Sequence, residues 1–237
     1  MNTTHPAAPV AEHTGATPAA LAMHIAGQLR GAIAARGHAL LAVSGGKSPI
    51  ALFEVLRTQP LNWDKVTVLL VDERIVPHDH ADSNTALVRR HLLQDAAAAA
   101  RFVPFFDSVP DRPDDATMET LAGRASQRLA ALPWPLDVAV LGMGEDGHTA
   151  SLFPAAPGLA QALRASGPVA WVRPATAPHA RLTLTLPALL ASRALLLSIA
   201  GAAKLAVYRQ ARQAADPALP VSLLLNQHEA PVSVWIA

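Results

Sequence analysis

The segment Gly142-Met-Gly-Glu-Asp-Gly-His-Thr-Ala-Ser-Leu-Phe-Pro154 holds residue types that suit acid–base chemistry. Glu145, Asp146 and His148 are titratable, and an imidazole exchanges protons near neutral pH. Gly142, Gly144 and Gly147 let the backbone turn sharply and come close to a ligand. Thr149 or Ser151 is suited to cap a following helix. The plain alternative is a tight turn with an incidental exposed histidine. What precedes the glycines favours a site. Residues 138–141 are apolar and β-branched, as in a fully buried strand, and open α/β sheets place their sites at the carboxyl ends of such strands.

Three further strand ends carry polar groups. Residues 38–43 read as a short apolar strand, followed by Ser44-Gly-Gly-Lys-Ser-Pro49 and a helix over 50–57 with Pro49 in its first turn. Strand, glycine turn and helix present free N–H groups and a positive dipole end to an anion. Ser44, Gly45, Gly46 and Lys47 are therefore candidate phosphate contacts. The loop is neither a Walker A sequence nor G-x-G-x-x-G, and an ordinary turn is the alternative. Asp72-Glu73-Arg74 follows the apolar run 66–71; three charges there suggest a site, against the alternative of a solvated loop. At Gly201 a fourth end leads into a helix whose first turn carries Lys204. His78-Asp79-His80 is read as a mobile exposed loop. Adjacent residues rarely converge on one ion, and no third ligand has a suggestive spacing, so no metal is expected.

These groups need elements to position them. Apolar residues at helical spacing (Leu21, Ile25, Leu29, Ile33) predict a helix over 19–36, ended by Gly37. Further helices are predicted from the Asp82-Ser83-Asn84 cap to about Leu93, and over 117–132, 159–164 and 201–213. Strands are predicted over 102–106, 169–173, 181–186 and 194–199. Short apolar runs occupy 219–225 and 231–236, the last read as an edge strand. Residues 181–186 alternate strictly, which suggests one face exposed. Strands alternating with helices predict an α/β fold built on a doubly wound, mainly parallel sheet. A single domain over 19–237 is expected after a flexible tail, residues 1–18, that lacks the features of a signal peptide.

Composition narrows the function classes. The 237 residues carry a formal net charge of +1, with no run of Lys or Arg to bind nucleic acid. With no cysteine there are no disulfides, thiolate nucleophiles or Cys-based zinc sites. No apolar run reaches membrane-spanning length. At 51% hydrophobic residues and a mean hydropathy of +0.25, the chain reads as a protein with a large core. A cytoplasmic protein without membrane or nucleic-acid partners is expected. From the residues alone, the four strand ends suit a small phosphorylated metabolite and proton transfer by His148.

The motifs Ser44-Gly-Gly-Lys-Ser-Pro49, Val71-Asp-Glu-Arg74, Ser83-Asn84, the Gly142–Pro154 segment, Arg181-Leu-Thr-Leu-Thr-Leu-Pro187 and Gly201-Ala-Ala-Lys204 resemble a known family. They are similar to the 6-phosphogluconolactonase branch of the glucosamine-6-phosphate isomerase/6-phosphogluconolactonase superfamily. They occur in family order across about residues 19–208. The resemblance implies a Rossmann-like α/β/α sandwich and hydrolysis of 6-phospho-D-glucono-1,5-lactone in the oxidative pentose phosphate pathway. It implies no cofactor, a sugar-phosphate lactone as small-molecule partner, and a monomer or homodimer.

Carried onto this chain, the resemblance makes His148 the base that activates water. Asp146 either orients His148 or binds a sugar hydroxyl, and Arg74 holds phosphate or the developing oxyanion. Gly45, Gly46, Arg181 and Lys204 form the implied phosphate cradle, with Ser44, Lys47, Asn84 and Gly144 as further contacts. Asp72 matches the base of the deaminase branch, and its role in a lactonase is open. Residues 226–237 depart from the pattern. Two rivals remain: an amino-sugar-phosphate isomerase or deaminase, and a non-catalytic sugar-phosphate sensor. The former resembles D-G-H-I-A-F-N-E-P where this chain has D-G-H-T-A-S-L-F-P. The latter is expected to carry a helix-turn-helix, for which the short tail leaves no room.

Overall fold

A computed structural model describes residues 10–110 and 113–237. Its elements run β1 (Ala11–Thr14), α1 (Pro18–Arg36), β2 (Ala39–Val43), α2 (Ile50–Leu56), β3 (Val66–Leu70), β4 (Asp72–Arg74), α3 (Asn84–His91), β5 (Arg101–Val103) and α4 (Asp115–Ala130). They continue with β6 (Val138–Leu141), α5 (Leu159–Ala162), β7 (Val169–Val172), β8 (Arg181–Leu184), α6 (Leu186–Leu190), β9 (Leu195–Ile199), α7 (Ala202–Ala211), α8 (Val221–Leu225) and β10 (Val232–Ile236).

Seven strands form a parallel sheet in the order β1-β10-β9-β6-β2-β3-β5, flanked by helices. This is the expected α/β architecture with a mainly parallel sheet. From β2 the chain winds outward through β3 to β5, then crosses to the other side of β2 and winds through β6, β9 and β10. The direction reverses between β2 and β6, and their carboxyl ends splay a crevice there. Every residue of β2 and β6 is buried, as the apolar composition requires of strands covered on both faces. Asp137 anchors their opposite ends: its carboxylate accepts the Leu40 N–H at 2.8 Å and pairs with Arg36.

A second sheet, β4-β8-β7, is antiparallel and grows from the end of β3. Val71 is the junction, donating its N–H to the Val43 carbonyl and accepting from Leu184 at 2.7 Å. The charges at 72–74 are thus part of a strand and not a loop. Residues 181–184 are buried throughout, contrary to the half-exposed face that their alternation suggested. β8 lies between β4 and β7, and its polar residues Arg181 and Thr183 are buried instead of facing water. Thr183 accepts the Ser151 N–H at 3.2 Å.

Both chain ends differ from expectation. Ala11–Thr14 pairs in parallel with β10, so the expected flexible tail contains the true edge strand and β10 is internal. Residues 1–9 of that tail lie outside the described residues. Tyr208 ties β1 down by donating to Glu12 at 2.5 Å, and His13 stacks on Trp235 with ring centroids 4.1 Å apart. Helix α1 begins as its sequence demands, with Thr17 accepting the Ala20 N–H, Pro18 in the first turn and Gly37 closing the helix at φ 76°. No helix follows Thr149 or Ser151; both hydroxyls are used within the site. Among the described residues, no helix is long and apolar enough to cross a membrane.

Candidate active site

The crevice between β2 and β6 opens into a cavity of about 380 Å³. Its walls include Ser44, Gly45 and Gly46 after β2, Asp72 and Arg74 on β4, Asn84 on α3, and Gly142, Gly144 and His148 after β6. Arg181 on β8 and Lys204 in the first turn of α7 complete the set. Residues predicted from four separate strand ends therefore meet around one space. Two sequence candidates do not line it. Lys47 is exposed and outside the cavity, and Asp146 stands behind His148.

The β2 and β6 ends are joined directly. Ser44 Oγ donates to the Val140 carbonyl at 3.0 Å and accepts the Gly142 N–H at 3.3 Å. Beyond Gly142 the chain folds back tightly, with the Gly147 N–H donating to the Gly144 carbonyl and the Gly144 N–H to His148. Gly147 has φ 75°, which favours glycine, and its carbonyl accepts the Val221 N–H at 2.9 Å. A side chain on Gly144 would overlap both His148 and Asp146.

This turn brings Asp146 Oδ1 to His148 Nδ1 at 2.5 Å, and the same oxygen accepts the His148 N–H at 3.1 Å. A carboxylate at Nδ1 holds the proton on that nitrogen and leaves the Nε2 lone pair as the base. The ring is fixed on its face by Phe153, stacked at 4.0 Å between centroids. Phe153 also lies under the Arg181 guanidinium, 4.8 Å away. Phe153 belongs to the Gly142–Pro154 motif, but an apolar residue at that spacing carries no signal that it is the platform for both groups.

Asp72 and Glu73 have different duties. Asp72 Oδ2 accepts from Ser151 Oγ at 2.5 Å, and its carbonyl accepts from Asn84 Nδ2 at 2.8 Å. Ser151 was not among the site residues expected from sequence. Glu73 is buried away from the cavity and accepts the N–H groups of Arg74, Asn84 and Thr85 at 2.7 to 2.8 Å. Burial pushes its carboxyl up, against the pull of those bonds. It fixes the start of α3 and therefore Asn84. Asn84 in turn fits only against a glycine, because a Cβ on Gly45 would overlap its side chain.

Three cations share the cavity: Arg74, Arg181 and Lys204. Arg181 is only 7% exposed, and burial lowers its affinity for a proton, with Arg74 adding to this and Asp72 opposing it. The buried Nε atoms of both arginines have no hydrogen-bond partner among the described residues. Orphaned donors on adjacent strands suit an anion with several acceptor oxygens. His78 and His80 diverge, since His78 stacks on Phe106 while His80 meets Asp82 and His179.

The family profile described as Glucosamine-6-phosphate isomerases/6-phosphogluconolactonase matches residues 12–235. The chain belongs to this family. Among its relatives, a 6-phosphogluconolactonase of Pseudomonas aeruginosa is 46% identical over 220 residues, 90% of this chain and 87% of that protein. One from Neisseria meningitidis is 42% identical over 233 residues, covering 95% of this chain and 97% of the other. The crystal structure of a 6-phosphogluconolactonase from Shewanella baltica superposes with a TM-score of 0.89 at 40% identity, spanning 98% of this chain and all of that one. The family match therefore runs from within β1 to within β10.

Proposed function

We propose that the chain hydrolyses 6-phospho-D-glucono-1,5-lactone to 6-phosphogluconate, with His148 as the proton-transfer group. The observation that carries this reading is the Asp146–His148 pair at the rim of a cavity that also holds three cations. The 6-phosphogluconolactonase names of relatives above 40% identity support it.

In this account Asp146 accepts the Nδ1 proton and keeps Nε2 basic. Nε2 removes a proton from water as the water oxygen bonds to the lactone carbonyl carbon. The resulting imidazolium is stabilised by Asp146 at 2.5 Å. It returns the proton to the ring oxygen as the C1–O bond breaks, yielding the open acid. Positioned acid–base groups contribute about 10² to 10⁴-fold to such reactions. Arg181, Lys204 and the Ser44–Gly46 turn hold the phosphate remote from the carbonyl, so part of that binding energy serves orientation. Arg74, opposite Arg181, serves the same dianion or the carbonyl oxyanion. Asp72 is a positioning residue: it holds Ser151, and so the loop bearing Phe153, and its charge faces Arg181.

The isomerase or deaminase reading loses support at Phe153. The position places an apolar ring against His148 where the rival motif has a carboxylate. The test is acid release from freshly generated lactone, followed against its spontaneous rate, beside ammonia release from glucosamine 6-phosphate. Acceleration of the first without the second is expected. Deamination without lactone hydrolysis would overturn the proposal.

A further inference from the structure

Among the described residues, one set of three metal-ligating side chains converges: His80, Asp82 and His179. Their ligand atoms all lie within 4.8 Å of one another. His179 Nε2 is 3.0 Å from Asp82 Oδ2, and His80 Nδ1 is 3.9 Å from the same oxygen. Ligands at ordinary zinc distances in a tetrahedron are about 3.3 Å apart, so small side-chain shifts would seat one ion among the three. The imidazoles meet edge to face, 5.5 Å between centroids. This third ligand is the one the sequence concealed, since His179 stands 97 residues beyond Asp82.

The fold brings them together for a specific reason. Beyond the β4–β8 pair the ladder continues with the Ile75 N–H donating to the Ala180 carbonyl, which sets His179 beside the 77–83 turn. His179 adopts φ 70°, a backbone conformation that non-glycine residues seldom take. A single ion pair with Asp82 would need one histidine. Two imidazoles around one carboxylate, all reachable from solvent, instead suit a borderline cation that replaces their protons and keeps water at its remaining position.

We propose that His80, Asp82 and His179 form a binding site for a divalent cation of the zinc class, and that its occupancy is sensed in the cavity through Arg74. The link is one bond: Arg74 Nη1 donates to the Asp82 carbonyl at 2.6 Å, while Arg74 itself lines the cavity. Ligation through His80 Nδ1 displaces the Asp82 N–H that donates to it at 3.0 Å, so Asp82 shifts and Arg74 with it. The coupling rests on the proposed anion site; the metal site does not.

The experiment is zinc chloride titrated calorimetrically into the full-length chain without a polyhistidine tag. One equivalent should bind, and His179→Ala and His80→Ala should each weaken it at least tenfold, with His179→Ala leaving metal-free lactone hydrolysis within about twofold of wild type. Absence of binding at millimolar zinc, or binding unchanged in both variants, overturns the site. The Kd for 6-phosphogluconate should then shift severalfold with zinc in wild type and not in His179→Ala. Equal values in wild type overturn the coupling, whereas failure of 6-phosphogluconate to bind at all would instead count against the proposed function.

Discussion

Arg74 and Arg181 are direct cross-strand partners in the antiparallel pair of β4 and β8, so two guanidinium groups share one wall of the cavity. Like charges placed opposite each other in a sheet repel, and Arg181 is in addition nearly buried. A dianionic ligand relieves both penalties. Arg181→Met keeps an unbranched side chain over Phe153 and removes one charge. The variant should unfold at a urea concentration no lower than wild type. It should bind 6-phosphogluconate about ten- to a hundredfold more weakly, since a charge-assisted hydrogen bond is worth roughly 1.5 to 3 kcal/mol. Unchanged affinity by calorimetry would assign the arginine pair to packing alone.

Lys204 allows the phosphate and the chemistry to be separated. With Lys204→Ala, kcat/KM for the phosphorylated lactone should fall about ten- to a hundredfold. Unphosphorylated gluconolactone should be a poor substrate for wild type and scarcely worse for the variant. A comparison of both enzymes on both lactones checks this. Equal harm to the two substrates would remove Lys204 from the phosphate cradle.

Gly45 and Asn84 are fitted to one another. Gly45→Ala forces Asn84 off the Asp72 carbonyl or the turn off Val140, and overpacking of this kind costs about 1 to 3 kcal/mol. Asn84→Ala makes room, so in a double-mutant cycle the two substitutions should be clearly less than additive in urea denaturation. Strict additivity would mean that the contact constrains neither residue.

Tyr208 is the single tyrosine in the chain, which makes its ionisation readable by ultraviolet absorbance. Burial and the bond to Glu12 push its phenol up to about 12. Because the folded value lies above the ordinary value of 10, its contribution to stability is complete below pH 10 and is lost as pH rises through 12. The absorbance midpoint should lie near 12 in the folded protein, and Glu12→Gln should lower it. A midpoint near 10 would contradict the docking of β1 through this residue.

The site was legible in sequence where a single strand end carried its own signal. Continuous apolar runs exposed β2, β3, β6 and β9 because strands covered on both faces need no polar residues. The glycines and charges just past them located Ser44, Asp72 and His148. What sequence concealed depends on distant partners. Ala-Glu-His-Thr, the sequence of β1, has no apolar pattern, and its strand exists because β10 and Tyr208 hold it. The alternation of β8 suggests a solvent face, whereas Arg181 lines the cavity and Thr183 is buried against Ser151. Ser151 and His179 acquire meaning only through Asp72 and Asp82.

The central claim is that His148, oriented by Asp146, transfers the proton in lactone hydrolysis. The most direct measurement is the rate of acid release from freshly generated 6-phosphogluconolactone by His148→Ala, corrected for spontaneous hydrolysis. The side chain lies on a loop against Phe153, so the variant should fold and still bind 6-phosphogluconate. Its turnover should fall about 10² to 10⁴-fold, the range expected when a positioned acid–base group is lost. A variant that binds product and hydrolyses the lactone at the wild-type rate would contradict the account.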